Sequence, residues 1–291
     1  MLSFKKLLQK VFNKYTILLL INVLFTTSCM KLRTSDKKVY RKFSKKDLDV
    51  SVHYVDVNNK KIRYIKSGSL NLNKPLIVFV HGAPGSADDF FEYMMDDTLV
   101  EKAQLISVDR LGYGFSEFGD AEKSIVTHAD ALRSVLTDQE YSSVILVGHS
   151  YGGPIICEYA VKYPSDQLSL LLLAPAIDPK NEKTFKIAYL AKWKSTKFLI
   201  PKPFQVSAVE KFSHVSALNE VVGGFSKIPN KIIHLHGTKD RLVPFANLAF
   251  GERTFTNAQF NPVKLKGKNH FLPWNSKPII LEHILELMDE E

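Results

Sequence analysis

Cysteine is almost absent: Cys29 and Cys157 are the only two in 291 residues. Two cysteines cannot build a disulfide framework, and a chain of this length can bury a core without one. Long apolar runs are scarce too. The apolar stretch Tyr15–Met30 holds 16 uncharged residues, short of the about 20 that cross a bilayer as a helix. There is no HExxH, no paired CxxC, no P-loop and no dinucleotide fingerprint, so no metal or nucleotide cofactor is implied. No internal repeat or low-complexity tract occurs. The net charge of +9 is not a property of the whole chain. Residues 1–66 hold 16 Lys/Arg against 4 Asp/Glu, whereas residues 67–291 hold 23 against 26. The basic excess therefore belongs to the start of the chain. It provides no basic face for nucleic acid, and none of the nucleic-acid-binding motifs is present.

What the start does contain is an export layout. Lys5, Lys6, Lys10 and Lys14 form a positive region, Tyr15–Phe25 an apolar one, and Thr26-Thr27-Ser28-Cys29 follow. That order is a secretory signal. The small residues before Cys29 resemble a bacterial lipoprotein lipobox, with Ser28 in place and Thr26 where the pattern prefers Leu. The expectation is a signal peptide over 1–29, lipid on Cys29, and an exported, membrane-attached protein. An uncleaved anchor or an ordinary signal with a coincidental cysteine are the alternatives. Residues 30–49, polar and basic, read as a flexible tether. Cys157 reads as a small core residue.

From residue 50 the patterning is that of a fold. Ser51–Val57 and Lys61–Ser67 alternate around Asn58-Asn59 and predict an edge hairpin. Buried strands are predicted at Leu76–Val80, Leu105–Val108, Val144–Val147 and Ser169–Leu173, and further strands at Ile232–Leu235 and Pro262–Leu265. Helices are predicted near Ala87–Met95, Ala121–Leu136, Ser150–Tyr163, Phe245–Glu252 and Lys277–Met288. Alternating strands and helices predict an α/β fold, a mainly parallel sheet with helices on both faces. The core is expected over 50–178 and 228–291. Residues 179–227, rich in aromatics and lysines, break the alternation. They read as a small helical cap over the carboxyl ends of the strands, where open α/β sheets bind ligands.

The chemistry centres on Gly148-His149-Ser150-Tyr151-Gly152. This is G-x-S-x-G between a predicted strand and a predicted helix. The sharp turn needs glycines beside the serine and lifts Ser150 Oγ to a helix N-terminus. A serine nucleophile needs a base, and the base needs an orienting group. His270 and Asp240 each follow a predicted strand, and the order Ser150, Asp240, His270 suits a nucleophile elbow. Asp178 is the rival acid. Two backbone N–H groups, those of Ala83 and Tyr151, are the candidate oxyanion hole. His149 reads as a packing residue, and His81 and His236 as structural. Asp109 and Arg110 are expected to order their loop rather than touch substrate.

These motifs together resemble the α/β-hydrolase superfamily in its capped, serine-nucleophile form. The matching stretches are His81-Gly82-Ala83-Pro84-Gly85, Asp109–Ser116, Gly148–Gly153, His236–Asp240 and Asn269-His270. Leu111 stands where the family usually has Pro. Relatives that act on haloalkanes or epoxides use Asp as nucleophile, so Ser150 argues against both. The resemblance implies an enzyme that hydrolyses a small-molecule acyl substrate, most simply a carboxylic ester, through an acyl-serine and without a cofactor. Amide, lactone, thioester and C–C bond hydrolysis use the same triad. A non-catalytic surface lipoprotein that binds through its cap is the alternative from another class.

Overall fold

The computed structural model describes residues 33–289, except 138, 185, 193–196 and 198–199. The signal layout and Cys29 lie outside the described residues.

The described chain opens with helix α1 (Asp36–Ser44) inside the stretch expected to be a tether. Val39 and Phe43 are four residues apart, share one helical face and are fully buried. Phe43 packs edge-on against Phe91 at 5.5 Å between ring centroids. Burying two such side chains contributes roughly 1.5–3 kcal/mol each, enough to dock a short helix whose other residues are polar. The polar composition hid those two anchors.

Eight strands follow: β1 (Val50–Val57), β2 (Lys60–Gly68), β3 (Leu76–Val80), β4 (Gln104–Val108), β5 (Val144–His149), β6 (Leu168–Leu173), β7 (Lys231–Gly237) and β8 (Gln259–Leu265). They form one sheet in the order β1-β2-β4-β3-β5-β6-β7-β8. β1, β2 and β4 pair antiparallel, and every pairing from β4 to β8 is parallel. The edge hairpin turns at Asn58 and Asn59, whose φ values are +49° and +64°. Asn tolerates this left-handed region, and two such residues make the turn that suits strand twist.

Every residue of β3, β4 and β5 is buried. Alternate side chains enter opposite cores. Leu76, Val78 and Val80 join helices α2 (Ile125–Leu136) and α3 (Gly152–Lys162) on one face. Ile77 and Phe79 face the other way, with Val39 and Phe43 of α1 and with Ile280, Ile284 and Leu287. The predicted helix at 121–136 begins four residues later, because Ser124 Oγ accepts the Thr127 N–H at 3.2 Å and caps it. A further helix, Asp97–Lys102, was not anticipated; Asp96 caps it and Leu99 anchors it in the core. Between β6 and β7 the chain makes a short helix, Lys186–Lys192, then α4 (Lys202–Val221) and a 3-10 segment, Val222–Lys227. α5 (Ala246–Thr254) leads to β8, and α6 (Lys277–Asp289) closes the described fold. No helix among the described residues is long and apolar enough to cross a membrane.

Candidate active site

Ser150 is the corner between β5 and α3. Its φ is +53°, a left-handed conformation that costs a non-glycine residue about 1–3 kcal/mol. The surroundings hold it there. Its N–H donates to the Leu173 carbonyl at 3.0 Å, and its carbonyl accepts from Gly153 and Ala176 at 3.0 and 3.1 Å. The turn works only with glycine at 152, where a Cβ would come within 2.2 Å of the Val80 carbonyl oxygen. A short apolar strand, a strained corner and a close-packed helix thus present Ser150 at the carboxyl end of the sheet.

The loop after β7 brings Asp240, and the loop after β8 brings His270. His270 Nδ1 lies 2.7 Å from Asp240 Oδ2. The other oxygen, Oδ1, accepts the Leu242 and Val243 N–H groups at 2.9 and 2.8 Å. His236 Nε2 is 3.5 Å from Asp240 Oδ2. Burial opposes charge on Asp240, but the hydrogen bonds from His236, His270 and the Val243 amide outweigh it and hold the carboxyl below its ordinary range. An ionised Asp240 can accept a hydrogen bond from His270 Nδ1, which would leave the other ring nitrogen, Nε2, as an acceptor. The rival Asp178 is engaged elsewhere, accepting from the Lys180 N–H at 2.9 Å and from Asn181 Nδ2 at 2.6 Å.

Ser150 Oγ is not hydrogen-bonded to His270 in this structure; the two residues are joined through His149. The His149 ring packs on that of His270, 4.8 Å between centroids, and its Nε2 donates to the His270 carbonyl at 3.0 Å. Burial, then the neighbouring His270, lowers the His149 pKa to about 3, so the ring is neutral. His149 is thus more than packing. It ties the backbone of His270 to the residue that precedes Ser150. Sequence order alone carried no signal for that contact.

The loop after β3 runs against the elbow: a Cβ on Gly82 would sit 3.1 Å from that of Ser150. The N–H groups of Ala83, in this loop, and of Tyr151 donate to no other described backbone carbonyl. Arg110 holds the loop from behind. Its Nε donates to the His81 carbonyl at 2.9 Å and its Nη2 to the Gly82 carbonyl at 2.9 Å. His81 Nε2 accepts the Arg110 N–H at 3.0 Å. Asp109 orders the neighbouring turn, accepting from Ala87 N–H, Phe115 N–H and Arg63 Nη1 at 2.8, 2.9 and 3.0 Å. Gly114, at φ +53°, has no room for a Cβ against that carboxylate.

Arg110 has a partner that the sequence did not reveal, Glu210 of α4. The two meet at 2.8 Å and both are buried. Tyr113 Oη adds a hydrogen bond to Glu210 at 2.6 Å. Burial disfavours both charges, but their mutual attraction wins, raising the pKa of Arg110 and depressing that of Glu210. The Arg110 guanidinium also covers the Tyr151 ring at 4.7 Å, and that ring meets His214 of α4 at 4.6 Å. The pairing spans 100 residues of sequence, so no local pattern announces it. Cys157 is a free, buried thiol with its pKa pushed up by burial. No cluster of metal-ligating side chains occurs among the described residues.

Residues 75–199 match the family model described as alpha/beta hydrolase fold. A 1-acylglycerol-3-phosphate O-acyltransferase of Arabidopsis thaliana is 31% identical over 144 residues, 45% of this chain and 34% of that protein. A bifunctional esterase/perhydrolase of Acinetobacter calcoaceticus is 32% identical over 110 residues, 38% of this chain and 40% of that protein. The chain thus spans well under half the length of either. Among solved structures, a bacterial membrane phospholipase A superposes with a TM-score of 0.63 at 19% identity, covering 99% of both chains. The mostly parallel eight-stranded sheet, the matched region and the structural likeness agree: this chain has the alpha/beta hydrolase fold.

Proposed function

We propose that the protein is a serine hydrolase that cleaves carboxylic esters through an acyl-serine intermediate. The observation that carries this reading is the 2.7 Å contact of His270 Nδ1 with a buried, ionised Asp240, with His270 packed against His149, the residue that precedes a serine held at positive φ. In the proposed reaction His270 Nε2 takes the proton of Ser150 Oγ as the oxygen attacks the ester carbonyl. The developing oxyanion is held by the N–H groups of Ala83 and Tyr151. Collapse breaks the bond to the leaving alcohol, which receives the proton from His270. Water, deprotonated by His270, then attacks the acyl-serine and releases the acid. An oxyanion donor is worth about 3–4 kcal/mol of barrier. The esterase named among the relatives supports this choice. The name of the Arabidopsis relative favours a second outcome, in which an alcohol replaces water and receives the acyl group.

The site of action belongs to the same proposal. Lipid on Cys29, or the apolar run before it, would hold the enzyme at a membrane after export. The support is the short apolar run, Ser28 before Cys29, and the basic residues that follow.

A fluorophosphonate probe tests the chemistry. It should label the wild type covalently and not Ser150→Ala, whose thermal unfolding should be unchanged. Ester turnover should fall on the order of 10³-fold or more. Equal labelling of Ser150→Ala would refute the assignment, and products formed with a glycerol-like alcohol present would separate hydrolysis from acyl transfer.

A further inference from the structure

The two loops that supply Asp240 and His270 carry an unusual surface. Leu242, Phe271 and Trp274 are 36%, 42% and 47% exposed, although each lies within four residues of Asp240 or His270. Both rings have ring partners. Phe271 meets the His270 ring at 6.0 Å, and Trp274 meets His149 at 5.6 Å and Phe271 at 5.9 Å. The exposed aromatic surface therefore borders the site directly. Water contact on three large apolar side chains costs free energy that the folded chain does not recover by itself.

The same loops are positively charged. Lys239, Arg241, Lys266 and Lys268 are exposed, and over residues 238–245 and 266–275 the one acidic residue is the buried Asp240. Aromatic and aliphatic side chains ringed by cations match a lipid surface, with rings at the acyl boundary and cations at anionic headgroups. A protein partner would more usually meet a rim of mixed charge. A third observation concerns direction. Thr34 Oγ1 donates to Asp88 at 2.5 Å, and the Arg33 guanidinium covers the Phe118 ring at 3.8 Å. Asp88 and Phe118 lie in the loops after β3 and β4. Residues 33 and 34 therefore dock at the carboxyl end of the sheet, the end that presents Ser150.

We infer that the loops bearing Asp240 and His270 form a docking surface for an anionic lipid bilayer. The enzyme's substrates are then acyl esters resident in that bilayer; this substrate class rests on the hydrolase function proposed above, whereas the docking surface does not.

The test uses the full chain with Trp193→Phe, which leaves Trp274 as the sole tryptophan. Vesicles of phosphatidylcholine with phosphatidylglycerol, carrying bromine-labelled acyl chains, should shift Trp274 emission to the blue and quench it. Lys239→Gln with Lys266→Gln should weaken this response about tenfold, with turnover of a soluble short-chain ester unchanged. A chain that sediments with the vesicles while Trp274 stays unquenched overturns the inference, because the N-terminal segment alone is then at the membrane. Equal quenching by pure phosphatidylcholine overturns the anionic preference. A blue shift that follows protein concentration without vesicles assigns the surface to a second copy and overturns it too. Failure of the hydrolase proposal shows separately, as absent probe labelling with the Trp274 response intact.

Discussion

At the scale of single residues the site turns on which carboxylate serves His270. Asp240 and Asp178 both follow strands, and both were candidates on chain order. Only Asp240 lies against the imidazole, while Asp178 closes its own turn. Asp240→Asn should lower turnover on the order of 10⁴-fold by allowing the wrong tautomer of His270. Asp178→Asn should cost far less. Steady-state kinetics on one ester checks both, and the reverse ranking would move the acid to the loop after β6.

Asp88 offers a pH test. Burial raises its carboxyl to about 6, in spite of the hydrogen bond from Thr34. A carboxyl whose folded pKa is raised binds its proton more tightly in the folded state. Its stabilising contribution is full at low pH and is lost as pH rises from the ordinary carboxylate value through about 6. The depressed groups, Asp240 and Glu210, act oppositely, and their contribution is lost only as pH falls below the ordinary range. Between about pH 4 and pH 6 the melting temperature of Asp88→Asn should therefore fall less than that of the wild type. Thermal unfolding of both proteins at pH 4, 6 and 8 measures it. Asp89, held well above its ordinary value by burial and then by Asp88, acts in the same direction as Asp88.

At the scale of elements, α4 and the loop after β3 are coupled by one buried ion pair. Glu210 holds Arg110, and Arg110 holds the carbonyls of His81 and Gly82, directly before Ala83. Glu210→Gln leaves a buried arginine without its counter-charge and should cost about 3–5 kcal/mol. In the fraction that remains folded, fluorophosphonate labelling should slow, because the Ala83 N–H is no longer held in place. Arg110→Lys keeps a charge but loses the planar fork, and should slow labelling as well. Denaturant unfolding measures the first effect and the labelling rate the second. Unchanged labelling in folded Glu210→Gln would make the pair a purely structural link between α4 and the sheet.

At the scale of the whole molecule, the charge division along the sequence places the basic excess ahead of an acidic body. If Cys29 is the anchor, labelled palmitate should mark the wild type and not Cys29→Ser, and the variant should leave the membrane fraction. Membrane retention of Cys29→Ser with its N-terminus intact would make Tyr15–Met30 the anchor instead. Equal release of both would remove the membrane from the N-terminal account.

The sequence by itself determined the sheet and named the candidates for the reacting groups. Unbroken aliphatic runs have nowhere to go but the centre of a covered sheet, and Gly148-His149-Ser150-Tyr151-Gly152 at the end of one admits few turns. Asn58-Asn59 marked its hairpin for the same local reason. Local pattern failed where two anchors sat in polar company, as with Val39 and Phe43, and where a serine cap shortened a helix, as at Ser124. Only the tertiary structure decided which acid faces His270, that His149 carries the backbone of His270, and that Arg110 is neutralised by Glu210. Each of these is a contact between elements far apart in the chain. Hydrogen bonds of about 3 Å depend on how strands and helices pack in three dimensions, and periodicity along one dimension holds no record of that packing.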